Sequence, residues 1–250
     1  ESMTLKTAPL MPLRIAVIIP CYRVKDHILK VLEGIGPEVS SIYIIDDSCP
    51  DGSGDFVQGA THDDRIHVIK LPENRGVGGA TKVGYCRAMA DGAEIMVKLD
   101  GDNQMDGNFI PYLVRSLVEN NADYAKGNRF NSLRVLKIMP LSRLVGNLAL
   151  SMLSRFSSGY WDIVDSTNGY TAIRSNIVGL IPLCRVDDDY FFESDLLYWL
   201  HTVGASVTEI PMEARYGNER SNLSIVRNLP IFAWKHARNL LRRFSHISVS

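Results

Sequence analysis

Short apolar, β-branched runs alternate along the first half of the chain with stretches whose apolar positions fall at helical spacing. Arg14-Ile15-Ala16-Val17-Ile18-Ile19 reads as a strand closed by Pro20-Cys21-Tyr22. From Asp26 a helical pattern carries Ile28, Leu29, Val31, Leu32 and Ile35, and Gly34 and Gly36 end it. Ile42-Tyr43-Ile44-Ile45 is the next strand, running into Asp46-Asp47-Ser48 and a Pro50-Asp51-Gly52 turn. Ile66 to Leu71 and Ile95 to Leu99 supply a third and a fourth, with a helix over residues 78–91 between them. This alternation predicts an α/β fold, a mostly parallel Rossmann-like sheet flanked by helices. In such sheets ligands sit beyond the carboxyl ends of the strands. Pro20-Cys21-Tyr22, Asp46-Asp47 and the segment after Leu99 therefore face one crevice.

The second half is more helical. Residues 140–157 place apolar side chains at 141, 144, 145, 148, 152 and 156, with Arg143, Asn147, Ser151 and Ser154 on the other side. From Leu229 to Phe244, Ile231, Trp234, Ala237, Leu241 and Phe244 share a face, while Lys235, Arg238 and Arg242 share another. Residues 1–13 read as a loose leader, with Glu1-Ser2 before Met3 resembling an expression scar. The expected domain spans 14–225 in two halves, 14–105 and 106–225. A basic amphipathic helix over 226–250 follows and leaves room for a membrane segment beyond it.

Composition narrows the function classes. With 27 basic against 28 acidic residues, no global field argues for nucleic acid. The four cysteines show no C-x-x-C spacing and suit reduced thiols of a cytosolic protein, and the six histidines form no zinc-like grouping. No run of about 18 apolar residues could span a bilayer.

Candidate chemistry concentrates in Asp100-Gly101-Asp102-Asn103-Gln104, just past the fourth strand. Carboxylates at i and i+2 with an amide oxygen at i+4 are hard ligands that suit Mg²⁺ or Mn²⁺ shared with substrate phosphates. An acidic turn capping the next helix fits the same residues. Asn74-Arg75-Gly76-Val77-Gly78-Gly79-Ala80 tempts a phosphate-loop reading, but Thr81 precedes Lys82 where a P-loop needs Gly-Lys before Ser or Thr. A tight turn opening a close-packed helix is favoured.

In order, P-C-Y, I-I-D-D-S-x-P-D-G, N-R-G-x-G-G-A and D-G-D-N-Q resemble inverting glycosyltransferases of family 2 with the GT-A fold. The likeness is strongest to the branch of dolichol-phosphate mannose synthase and the polyprenyl-phosphate glycosyltransferases, and runs from residue 15 to about 225. It implies that Pro20 and Tyr22 line a base pocket, Asp47 accepts a hydrogen bond from the base, and Asp46 supports the turn. It implies that Asp100, Asp102 and Gln104 hold the divalent ion against the donor diphosphate.

In the second half, Tyr124-Ala125-Lys126-Gly127-Asn128-Arg129 resembles G-x-R-Y, which makes Arg129 an acceptor-phosphate ligand. Arg143 and Asn147 join it by likeness to a membrane-interface helix of the synthases. Asp165-Ser166-Thr167-Asn168-Gly169-Tyr170 resembles D-x-T-S-G-F-R and puts Asp165 near the active site, although Thr171 stands where the arginine is usual. Phe191-Phe192-Glu193-Ser194-Asp195 occupies the place of Q-x-E in lipid-directed members and of a base-bearing E-D in sugar-directed ones. Asp195 is the candidate base or ligand-orienting acid. Arg215 and Arg220 become candidates for the donor diphosphate, with Asn222 where lysine is usual.

These readings predict a metal-dependent transferase that moves a sugar from a nucleotide donor, UDP preferred and GDP-mannose second, onto a polyprenyl phosphate. It would sit peripherally at the cytoplasmic membrane face. The rivals are transfer to a glycan hydroxyl with Asp195 as general base, a nucleotide-binding module without catalysis, and a nucleotidyltransferase. The last would carry a lysine-bearing glycine loop after the first strand, which Pro20-Cys21-Tyr22-Arg23 is not.

Overall fold

The computed structural model describes residues 13–130, 141–212 and 225–247. Seven strands among them form one sheet: β1 (Ile15–Cys21), β2 (Val39–Asp46), β3 (Ile66–Lys70), β4 (Ile95–Lys98), β5 (Tyr124–Asn128), β6 (Thr171–Arg174) and β7 (Val207–Pro211). The spatial order is β3-β2-β1-β4-β6-β5-β7. β6 alone runs against its neighbours β4 and β5; the other pairings are parallel.

Period-two alternation divides each strand between two cores. Ile15, Val17 and Ile19 of β1 face the layer of α1 (Ile28–Glu33), α2 (Ser53–Ala60) and α4 (Ile110–Glu119). Ala16 and Ile18 face the layer of α3 (Gly76–Ala90), α6 (Ser175–Val178) and α7 (Phe192–Thr202). Coverage on both faces explains why the early strands read as unbroken apolar runs. Two further helices, α5 (Leu141–Ser158) and α8 (Ile225–Ile247), pack on each other and on α7. They meet in a small apolar cluster of Leu150, Phe191 and Phe232.

The second face ends in a row of polar residues. Lys98 of β4, Thr171 of β6 and Lys126 of β5 are register partners, all three buried. Directly opposed residues project to the same side, so this row continues the apolar rows of Met96 and Tyr124 and forms the border between core and cleft.

Close approach of α3 to β1 holds that border. A Cβ on Gly84 would lie 2.3 Å from Cγ2 of Ile18, a side chain buried in the sheet. Gly84→Ala is expected to lower the urea-unfolding free energy by about 1–3 kcal/mol through overpacking. That direction is opposite to the gain of about 1 kcal/mol that alanine gives in an exposed helix.

Candidate active site

A cleft of ≈ 760 Å³ opens at the carboxyl ends of β1, β2 and β4. The backbone turns sharply at each of those ends: Arg23 (φ 57), Ser48 (φ 53) and Asn103 (φ 61) adopt the left-handed region. Asparagine tolerates it; arginine and serine do so at a cost that the surrounding packing must offset.

Pro20, Tyr22 and Asp47 line one end of the cleft, so the three residues implied for the base pocket are neighbours there. The Arg75 N–H donates to Oδ1 of Asp47 at 2.7 Å, and the Asp47 N–H donates to the Cys21 carbonyl at 3.0 Å. Burial pushes the Asp47 carboxyl above its ordinary pKa, with the Arg75 N–H pulling the other way. Asp46 turns from the cleft and accepts from the N–H groups of Cys49 at 2.7 Å and Gly54 at 2.8 Å, bracing the turn into α2.

Asp100, Asp102 and Gln104 line the floor. The Gln104 N–H donates to Oδ1 of Asp102 at 3.0 Å, so backbone geometry orients that carboxylate. Oδ1 of Asp100 accepts from Nζ of Lys98 at 2.7 Å, and Nζ lies 3.0 Å from Oε1 of Glu193. Burial disfavours the Lys98 charge, but Asp100 and Glu193 outweigh it and hold the lysine well above its usual pKa. The missing side chain of Gly169 makes this possible. A Cβ there would stand 2.6 Å from Lys98 Nζ and 3.1 Å from both Asp100 Oδ2 and Glu193 Oε1. The space left at Gly169 is bounded by Lys98, Asp100 and Glu193, while Asp100, Asp102 and Gln104 line the same cleft with the hard oxygen atoms that suit a divalent cation sharing its coordination with phosphate. Among the described residues no group of three or more His, Cys, Asp or Glu could hold a metal on its own.

Arg129 lines the same cleft. Its Nε and Nη2 donate to the two oxygens of Asp165 at 2.7 and 2.8 Å, its N–H donates to Oδ2 at 3.0 Å, and Nη2 also donates to Thr167 Oγ1 at 3.1 Å. Asp165 is fully buried and reaches the cleft only through this fork. Burial would raise its pKa, yet Arg129 outweighs that and holds the carboxyl below the usual range. Glu209 of β7 accepts from the N–H groups of Val164 and Asp165 at 2.9 and 2.8 Å, fastening the segment. Nζ of Lys126 donates to the Asn168 carbonyl, and burial pushes that ammonium down to about 8.

Two expectations need restating. Asp195, the expected base, faces away from the cleft: it accepts from the Asp187 N–H at 2.8 Å and Nδ2 of Asn239 at 2.6 Å, with Arg238 at 3.6 Å. Glu193 is the carboxylate of α7 that lines the cleft. Residues two apart on a helix point about 200° apart, so only one of them can face it. Likewise the expected basic face of α8 is turned inward, with Lys235 on Asp187 at 2.5 Å and Arg238 toward Asp195. Outward are Ile231, Trp234, Leu241 and Phe244, each more than half exposed.

The glycines that open α3 pack closely on the segment before α7, while Asn74, Gly76 and Val77 also line the cleft. The Gly79 N–H donates to the Asp188 carbonyl at 2.9 Å, and Lys82 pairs with the Asp188 side chain at 2.7 Å. Leu150 of α5 and Phe232 of α8 close the far end of the cleft. The side chains of Arg143 and Asn147, and the whole of Arg215, Arg220 and Asn222, lie outside the described residues.

Comparison with known proteins identifies the family. The sequence profile of Glycosyl transferase family 2 matches residues 16–180. Polyprenol monophosphomannose synthase of Mycolicibacterium smegmatis is 30% identical over 205 residues, covering 80% of this chain and 76% of that protein. Undecaprenyl-phosphate mannosyltransferase of Micrococcus luteus is 28% identical, covering 86% and 90%. UDP-N-acetylglucosamine–dolichyl-phosphate N-acetylglucosaminyltransferase of Methanococcus voltae is 28% identical, covering 81% and 86%. The structure of glucosyl-3-phosphoglycerate synthase from Mycobacterium tuberculosis with Mn²⁺ and UDP superposes with a TM-score of 0.69 over 92% of this chain and 80% of that one. At 17% identity it shows a shared GT-A fold.

The Arg129–Asp165 pair gives a pH signature. An acid whose folded pKa is depressed contributes stability that is complete above its unfolded pKa, about 4, and is lost as pH falls through the lower folded value. The urea midpoint of wild type should therefore exceed that of Asp165→Asn at neutral pH and approach it as pH drops below about 4. Parallel profiles would show that the pair contributes no ionic stability.

Proposed function

The chain belongs to glycosyltransferase family 2, and on that footing we propose that it transfers a sugar, with inversion, from a nucleotide-sugar donor to a polyprenyl phosphate at the cytoplasmic face of a membrane. One observation carries the reading: the acid pair Asp100 and Asp102, the arginine Arg129 and the apolar side chains of Leu150 and Phe232 line one and the same cleft.

Pro20 and Tyr22 would flank the base while the Asp47 carboxylate accepts its N–H, a UDP-sugar being the preferred donor and GDP-mannose the second. Asp100, Asp102 and Gln104 would hold Mg²⁺ or Mn²⁺. Such an ion neutralises charge on the departing nucleoside diphosphate. Arg129, pre-set by Asp165, would hold the acceptor phosphate for in-line attack. A phosphate monoester, with its second pKa of about 6, is already a dianion at neutral pH and needs no base. One of its oxygens bonds to the anomeric carbon as the bond to the diphosphate breaks, and the electron pair leaves on the diphosphate. Arg143, Asn147, Arg215 and Arg220 remain proposed phosphate ligands on the strength of the sequence alone.

Leu150 and Phe232 would take the first isoprene units of the lipid. Beyond them, Val145, Leu148, Met152 and Phe156 of α5 and Ile231, Trp234, Leu241 and Phe244 of α8 are exposed. So large an apolar surface on two adjoining helices fits a bilayer interface. No helix among the described residues is long and apolar enough to cross a membrane.

A second reading has one observation in its favour. Glu193 lines the cleft, so a glycan hydroxyl could find a general base there in place of Asp195.

Asp102→Asn is expected to abolish transfer while leaving the melting temperature within a degree or so of wild type, because it alters charge at a half-buried position; near-wild-type transfer would refute the metal assignment. Radiolabelled sugar should partition into the lipid extract, and its appearance in water-soluble glycan would favour the second reading. Trp234→Ser/Leu241→Ser/Phe244→Ser should lose flotation with phosphatidylglycerol vesicles. Since Lys235 and Arg238 are engaged inside the protein, wild-type flotation should persist in high salt. Release by salt would return the interaction to basic residues.

A further inference from the structure

The ammonium of Lys98 is 1% exposed and touches two carboxylates that belong to different parts of the cleft. Asp100, at 2.7 Å, follows the end of β4 on the floor. Glu193, at 3.0 Å, comes from the first turn of α7. Lys126, in the same row of the sheet, donates to the Asn168 carbonyl instead. Lys98 is thus the counter-charge shared by Asp100 and Glu193.

We propose that Lys98 and Glu193 are positioning residues that control cation entry at Asp100: the Lys98 ammonium neutralises Asp100 until a divalent ion arrives and then withdraws onto Glu193. The inference rests on the reading that Asp100 and Asp102 hold that ion. Lys98 is 1% exposed at the inner edge of the cleft, and a charge so far removed from water must keep an opposite partner. A dication at Asp100 repels the ammonium, and Glu193 is already within contact distance, so a small rotation of the lysine stem completes the transfer of pairing. No proton moves. Glu193 makes the site able to exchange one cation for another without stranding either charge.

The sign of the effect follows directly. Glu193→Gln removes the alternative anion, so Lys98 remains on Asp100 and competes with the incoming ion. Adding Lys98→Met removes the competitor. Free Mn²⁺ measured by electron paramagnetic resonance during titration into the protein with UDP, and in a parallel series with GDP, reads this without turnover. Glu193→Gln is expected to weaken Mn²⁺ binding by about tenfold or more, the scale of a lost opposite charge at contact distance. The double variant Lys98→Met/Glu193→Gln should regain at least wild-type affinity, a non-additivity that mere structural damage does not produce.

Wild-type affinity in Glu193→Gln overturns the inference, and it does so even if Lys98→Met proteins fail to fold. A double variant that binds no better than Glu193→Gln also overturns it. Loss of Mn²⁺ in Asp102→Asn beside unchanged affinity in Glu193→Gln would leave the metal reading standing and remove this one. Absence of Mn²⁺ binding by wild type with either nucleotide would remove both.

Discussion

An ammonium withdrawn from water has to keep its counter-charges within contact distance, and in this fold that requirement falls on Lys98. The lysine ends an apolar row on the sheet face covered by α3 and α7, so its tip emerges where the core gives way to the cleft. Pairing with Asp100 and Glu193 ties the floor of the cleft to α7. If both carboxylates moved away the ammonium would be left buried and unpaired, a penalty of several kcal/mol, whereas with one displaced it keeps the other. Gly169 is the necessary gap above this cluster, and the Asn168 carbonyl beside it caps Lys126. The reversed strand β6, inserted between β4 and β5, sets both lysines at the same level.

The same economy of charge governs the outer helices. Asp187 and Asp195 are engaged by Lys235, Asn239 and Arg238 of α8, so this helix is fastened by polar contacts on its inner side. Phe232 contributes from that inner side to the cleft wall, and Phe191 packs beside it with the rings tilted and their centroids 5.6 Å apart. The surface left outward is apolar. The exposed apolar face of α8 and the cleft are thereby parts of one packed unit.

Much of the first half was legible in the chain, because a strand buried on both faces writes itself as an unbroken apolar run and its acids follow at the end. Asp47, Asp100, Asp102 and Gln104 all came from that logic and line one cleft. The acceptor side was harder for a geometric reason. Glu193 and Asp195 are indistinguishable by spacing, and only the packing of α7 decides which one faces inward. Asp165 was expected near the active site, and its carboxylate meets the cleft by holding Arg129. A signal for Lys98 did exist: a single charged residue inside Ile95-Met96-Val97-Lys98-Leu99 is a buried lysine that demands a partner. The chain alone could not say that Glu193, almost a hundred positions later, would supply one.

The central claim is that Asp100, Asp102 and Gln104 grip a divalent ion which neutralises the leaving nucleotide. Anomalous scattering from a crystal grown with Mn²⁺ and UDP tests it most directly. The account predicts a manganese peak within about 2.2 Å of carboxylate oxygens on the cleft floor and in contact with the diphosphate. A diphosphate seated in the cleft with its manganese held elsewhere, or with both acids turned away from it, would contradict the account.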